Sequence, residues 1–173
     1  TSVPIVYDVE RLREGRSFGT RRVVARQPGR PIYFQTVNFQ RAEDGFEHQD
    51  VMPEVGPPEA GIDFMELLRT RGNIDGEQLA KEWGALEVRY LGNSKIGLDE
   101  DPDHPARARV WVRVSDGLSD DPRDHLATFT YASDMTLLGA SLVPHDVTIG
   151  TPGMQVASLD HSIWFHRPFR ADE

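Results

Sequence analysis

Alternating hydrophobic and polar positions dominate the first forty residues and predict three strands. The alternation is clearest over residues 5–9, 18–26 and 32–39, where β-branched and aromatic residues are frequent. A period of two is typical of strands, because successive side chains point to opposite faces of a sheet. The joints are short, and residues 27–30 read Gln-Pro-Gly-Arg, a turn signal. Short joints favour antiparallel neighbours, so the pattern predicts an antiparallel meander.

Prolines, glycines and acidic residues interrupt this alternation over residues 41–62, which we interpret as a surface connection. Residues 63–83 carry only some helical spacing. Alternation then returns at 86–90 and again over 107–115, which predicts two further strands. The face of the second strand that carries arginines and a tryptophan is interpreted as ordinary solvated surface, with binding of a ligand's phosphate groups as the open alternative.

Helical spacing predicts a long helix over residues 124–142, with Asp124 as its cap and Pro144 ending it. Its apolar stripe consists of Tyr131, Met135, Leu138 and Leu142. Residues 154–166 form the longest strand candidate of the chain. Three strands, a connection, two strands, a helix and a strand correspond to an α+β fold.

Composition narrows the function classes. The chain has 173 residues and a formal net charge of −9, which disfavours nucleic acid as a partner. No apolar run is long enough to span a membrane. The absence of cysteine excludes disulfides, cysteine nucleophiles and thiolate metal sites, and it is compatible with a cytoplasmic location. No compact metal-ligand motif is present, so we expect neither a metal nor a cofactor.

Asp160 is the most unusual candidate for chemistry, because it lies within an apolar, strand-like segment and Asp is a poor strand former. A carboxylate there must be hydrogen-bonded or paired, and the residues alone leave a functional and a structural role equally open. His161 reads more readily as a satisfied core residue, and Asp134 in the helix could shape a pocket. No Gly-x-Ser-x-Gly elbow occurs, so a hydrolase would use an activated water as its nucleophile.

Several motifs resemble the acyl-CoA thioesterase II family in the order that the family has them. They include residues 9–18, 46–49 and 131–134, and above all 158–169, which read Ser-Leu-Asp-His-Ser-Ile-Trp-Phe-His-Arg-Pro-Phe. The resemblance implies a double hot-dog fold, in which antiparallel sheets wrap around long helices, incomplete here at both termini. Residues 1–45 would supply C-terminal strands of the first hot-dog, 46–84 a linker and 85–173 the N-terminal part of the second.

The resemblance also implies hydrolysis of medium- and long-chain fatty acyl-CoA. Asp160 matches the family's aspartate, which positions a water together with a threonine and a glutamine. The sequence ends at Glu173, before both of those positions. His161 and Asp134 are the candidate substrate-binding residues. Unpaired strand edges invite association, so we expect homo-oligomers.

Two other functions stay open. A catalytically incomplete hot-dog fragment would bind acyl-CoA or partner subunits without turnover. Another hot-dog enzyme, such as an enoyl-CoA hydratase, would need an Asp/His pair on the helix side, and the sequence places no histidine beside Asp134.

Overall fold

The structure, a computed structural model, describes residues 3–70, 77, 81, 83–149 and 151–173. Antiparallel strands and helices form an α+β arrangement in these residues. Two compact units can be distinguished along the chain, and each is described by itself. No helix in the described part of the chain is both long and apolar enough to cross a membrane.

The first unit, Thr1–Met52, contains one antiparallel meander. Its strands are β1 (Val6–Glu14), β2 (Phe18–Gln27) and β3 (Arg30–Gln40). The two-residue joint between β2 and β3 contains Gly29 at φ +75°, a conformation that glycine adopts without strain. The predicted meander is therefore confirmed, with its turn at the predicted place.

Hydrogen bonds along the strand ladders hold the first unit together, and it has little hydrophobic core of its own. Among its described residues only Ala25 is buried. An ion pair between Arg26 and Asp8 joins β2 to β1, with 2.8 Å between Nε and Oδ2. Large apolar side chains are exposed along all three strands: Val6, Tyr7, Val9, Leu12, Phe18, Ile32, Tyr33, Phe34 and Phe39. Because an exposed ion pair contributes at most about 1 kcal/mol, the ladders carry most of this unit's internal stabilisation.

The second unit, Pro53–Glu173, contains a second antiparallel sheet in the order β4-β5-β6. The strands are β4 (Ile62–Asp63), β5 (Leu86–Asn93) and β6 (Ala108–Val114). This confirms the two strands predicted from alternation, whereas the short β4 was not predicted. The register between β5 and β6 shifts at Gly92, where a Cβ atom would lie 2.5 Å from the carbonyl oxygen of Ile96.

The connection before β4 is less regular, as predicted, and ends in a 3₁₀ turn at Pro58–Ala60. Helix α1 (Phe64–Thr70) follows β4 directly. The Asp63 side chain caps it by accepting hydrogen bonds from the backbone N–H groups of Met65 and Glu66. The weak helical spacing at 63–83 is thus a helix at its start, and most of the remainder lies outside the described residues.

The long helix α2 (Pro122–Leu142) begins two residues before the predicted start. Asp121, not Asp124, caps it, because its carboxylate accepts the Arg123 N–H at 3.0 Å. Pro122 fits the first helical position, where its fixed φ is favourable and its missing N–H costs nothing. The prediction that Asp124 is the cap is therefore wrong. The helix ends as predicted, with a 3₁₀ turn over Val143–His145.

The difference between the two acids gives a direct test. Asp121→Ala removes an acceptor from the helix start and is expected to lower the free energy of unfolding by about 1 kcal/mol. Asp124→Ala is the matched control and should cost less, since this residue accepts only an exposed hydrogen bond from the Ser119 hydroxyl, adds favourable charge in the first turn and caps no backbone N–H. Urea unfolding followed by circular dichroism measures both. A larger loss in the Asp124 variant would contradict the assignment.

The core of the second unit lies between its sheet and α2. Leu86, Val88 and Val114 form a buried cluster with Ala132. The predicted stripe on α2 is only partly right, because Met135 packs on this cluster while Tyr131 is 54% exposed. Ala132, which the predicted stripe leaves out, is 5% exposed and belongs to the buried cluster. A small side chain at such a position allows a helix to pack closely on a sheet.

Residues 154–166 form no strand, and this prediction is wrong for the structure. A strand needs a neighbour that completes its backbone hydrogen bonds, and within the described part of the chain the segment pairs with none. Some of its apolar side chains also remain uncovered: Leu159 is 97% exposed and Trp164 is 73% exposed. Alternating sequence alone therefore did not produce a sheet here.

The end of the chain is nevertheless fixed to β6 and the start of α2. The Ala171 carbonyl accepts the Val114 N–H at 2.8 Å, and the Ala171 N–H donates to Nδ1 of the buried His125 at 3.1 Å. The guanidinium of Arg170, with the Leu118 N–H, lowers the pKa of Asp172 to about 2. These contacts hold residues 170–172 against β6 and the start of α2, and so they fix the C-terminal side of the segment 154–166.

Candidate functional site

The structure brings two of the three predicted site residues together on the surface of α2. Nε2 of His161 lies 3.0 Å from Oγ of Ser133, and Nδ1 lies 3.8 Å from Oδ1 of Asp134. The His161 side chain is 23% exposed, and that of Asp134 is half exposed. The expectation that Asp134 has no neighbouring histidine is therefore corrected. Their contact joins residues 27 positions apart, which no local pattern in the sequence could indicate.

Asp160 immediately precedes His161 and is exposed. Within the described residues its carboxylate makes no hydrogen bond or ion pair. It therefore does not occupy the mid-strand position in apolar surroundings, with a hydrogen-bonded or paired carboxylate, that the sequence predicts. An exposed, uncommitted carboxylate beside a histidine held on a helix remains available to a water or a ligand, and its catalytic role stays a prediction.

An aromatic cluster holds the same segment one helical turn away. Phe129 of α2 contacts Phe165 and Phe169 edge to face, with ring centroids 6.3 and 5.2 Å apart. Phe165 and Phe169 stack on each other with 5.9 Å between centroids. Phe129 and Ser133 are four residues apart and so share a face of the helix. This face of the helix was not predicted. The four-residue spacing of Phe129 and Ser133 is the signal in the sequence that could have indicated it.

A small cavity lies beside the cluster, between α2, β6 and residues 169–171. Its volume is about 90 Å³, and Phe129, Ala132 and Phe169 are among its lining residues. Pockets for small molecules usually measure roughly 300 Å³ or more. This cavity alone therefore does not accommodate a fatty acyl chain.

The arginines of β6 have protein partners, which favours the structural interpretation of that face. Arg109 donates to the carbonyl of Glu54 at 2.9 Å, and Arg113 donates to Oε2 of Glu87 at 2.7 Å. Hydrogen bonds from Arg113 and Arg89 lower the pKa of Glu87. A phosphate would have to displace these contacts. Among the described residues, no group of three or more histidine or acidic side chains is arranged to hold a metal ion.

Known sequences match almost the whole chain. A family model described as acyl-CoA thioesterase matches residues 102–173. Acyl-CoA thioesterase 2 of Haemophilus influenzae is 39% identical, covering 96% of this chain and 58% of its own length. Human acyl-coenzyme A thioesterase 8 is 34% identical, covering 98% of this chain and 56% of its own. The chain thus spans a little over half the length of these relatives.

A solved structure agrees with the sequence matches. The crystal structure of acyl-CoA thioesterase II TesB2 from Mycobacterium marinum is 38% identical, with a TM-score of 0.79 over 98% of this chain and 58% of that one. The tesB protein of Mycobacterium avium subspecies paratuberculosis, at 24% identity and a TM-score of 0.59, shares the fold over 82% of this chain. These sequence matches and the shared fold confirm the resemblance of this chain to the acyl-CoA thioesterases over almost its whole length.

Proposed function

We propose that this protein hydrolyses medium- and long-chain fatty acyl-CoA to free fatty acid and CoA, with an activated water as the nucleophile. The observation that carries the proposal is the match to acyl-CoA thioesterases over 96–98% of the chain. The geometry supports it, because the segment that contains Asp160 is fastened to α2 through His161.

In this mechanism the Asp160 carboxylate orients the water and accepts its proton as the oxygen attacks the thioester carbonyl. A tetrahedral oxyanion forms, and its collapse breaks the C–S bond. The CoA sulfur leaves as a thiolate and takes up a proton, and the fatty acid remains as the second product. His161 and Asp134 would contact the substrate beside the reacting carbonyl.

The proposal also covers the domain organisation and the oligomeric state of the protein. Residues 1–45 and 85–173 would be parts of two hot-dog domains joined by residues 46–84. The exposed apolar side chains of β1, β2 and β3 support association, because large apolar patches on a surface usually mark contacts. Homo-oligomers in the cytoplasm are therefore the expected form.

A second candidate is a module that binds acyl-CoA without turnover. Two observations favour it: Asp160 has no polar partner among the described residues, and the chain covers 58% of its Haemophilus relative. Enoyl-CoA hydration is a third candidate, because it needs an aspartate and a histidine on the helix side. Asp134 and His161 lie 3.8 Å apart there, although they are distant in the sequence.

One assay separates these functions. Thiol release from palmitoyl-CoA and from a shorter acyl-CoA is followed with a thiol-trapping dye, on this chain and, where the gene continues, on its full product. Release of CoA is expected, and it would exclude the binding module. Saturable binding of palmitoyl-CoA without thiol release would exclude hydrolysis. With an enoyl-CoA supplied as a further substrate, loss of its absorbance without thiol release would indicate the hydratase instead.

A further inference from the structure

The hydroxyl of Ser133 has one proton and two neighbours. Oγ lies 2.9 Å from the carbonyl oxygen of Thr130, which can only accept, and 3.0 Å from Nε2 of His161. We assign the Ser133 proton to Thr130, so that the oxygen accepts a hydrogen bond from His161. This arrangement requires the His161 tautomer that carries its proton on Nε2, or the doubly protonated ring.

Serine, histidine and aspartate also make up the triads of nucleophilic hydrolases, but the geometry here does not fit that role. In a triad the histidine accepts the serine proton, and the aspartate accepts a hydrogen bond from the other ring nitrogen. Here the proton of Ser133 is committed to a helix carbonyl. The 3.8 Å between Nδ1 and Asp134 is longer than a hydrogen bond. Ser133 is therefore arranged to hold the ring and not to attack a substrate.

The contact fixes the backbone next to Asp160. Residues 161–165 are attached to one face of α2 at two points, His161 on Ser133 and Phe165 on Phe129. The helix rises about 6 Å over the four residues between those points. Asp160 lies directly before the first point. If the Ser133 contact is lost, the aromatic contact still holds Phe165, but nothing described holds the chain at position 161 except the weaker approach of Asp134.

We propose that Ser133 is a positioning residue for the thioesterase reaction: it holds His161 in one tautomer and orientation and thereby places the Asp160 carboxylate. This rests on the proposed function for its effect on turnover, but the contact itself can be tested without activity. The Asp134 carboxylate, from the following position of the helix, lies 3.8 Å from Nδ1 and makes no hydrogen bond with it.

The test compares Ser133→Ala and Ser133→Thr with Ser141→Ala as matched control. Ser141 also lies in α2 and donates to a carbonyl three residues earlier, Leu138, at 2.7 Å. The alanine variant at 133 is expected to lower kcat for palmitoyl-CoA about five- to tenfold, the effect of one lost hydrogen bond, with KM changed less than about twofold. The threonine variant keeps an acceptor oxygen and should restore most of kcat. Ser141→Ala should change neither constant.

The ¹⁵N signals of the His161 ring supply a second readout, assigned with His161→Asn. We expect Ser133→Ala to shift the Nε2 signal and Ser133→Thr and Ser141→Ala to leave it in place. A shift in a chain that does not hydrolyse palmitoyl-CoA would support the contact and overturn only the proposed function. Unchanged ring signals and unchanged kcat in Ser133→Ala would overturn the positioning role. So would an inactive threonine variant together with labelling of Ser133 by a fluorophosphonate, which would make it a nucleophile.

Discussion

Replacing Asp160 by Asn is expected to lower kcat for palmitoyl-CoA hydrolysis by about a hundredfold or more. The asparagine side chain has nearly the same shape but cannot accept the proton of the attacking water. A positioned acid or base typically contributes about 10²- to 10⁴-fold to a rate. Thiol release under saturating substrate measures the loss, in whichever form of the protein turns over.

Stability should not change in the same variant, and this separates a catalytic role from a structural one. Asp160 is exposed and makes no polar contact within the described part of the chain. Surface substitutions of this kind usually change the free energy of unfolding by less than about 0.5 kcal/mol. Asp116→Asn, at an exposed acid in the loop between β6 and α2, is the control for loss of one charge. An Asp160 variant that keeps more than a third of the wild-type kcat would remove the carboxylate from the mechanism.

Periodicity predicted most of the regular structure because its signal is local. The strands β1, β2, β3, β5 and β6 and helix α2 all lie within a few residues of their predicted positions. Predictions that depended on which other element of the chain a segment packs against or pairs with were less reliable. The buried face of α2 includes Ala132, whose small size matters only against the sheet. Residues 154–166 have strand-like alternation but no paired neighbour among the described residues.

The candidate site shows the same limit. The motif around Asp160 and His161 is visible in the sequence, and it carries the resemblance to the acyl-CoA thioesterases. The contact between His161 and Ser133 spans 28 positions, so it follows from how residues 154–173 return to α2 and not from any local pattern. No local pattern marks Ser133, since a serine within a helix ordinarily donates to a carbonyl one turn earlier, as Ser133 also does here.

Return of the chain end to α2 depends on a small core, and that core supplies the second large expected effect. Leu86→Ala is expected to lower the free energy of unfolding of the second unit by about 2–3 kcal/mol. Leu86 is 7% exposed and contributes to the buried cluster with Val88, Val114 and Ala132. Truncating a buried leucine costs about 2–5 kcal/mol, depending on how far the site collapses. We expect the lower part of that range, because half-buried neighbours such as Val112 and Met135 can move into the space.

Tryptophan fluorescence in urea measures this effect selectively, since Trp83, Trp111 and Trp164 all lie in the second unit. Leu159→Ala is the control, because this leucine is almost fully exposed and its truncation removes no buried area. If the two variants unfold at the same urea concentration, the cluster around Leu86 does not stabilise the unit. If Leu86→Ala alone is destabilised, and fluorescence and circular dichroism report the same transition, the sheet and α2 unfold together. Asp160 and His161 would then lose their support in the same transition, since His161 is bound to that helix.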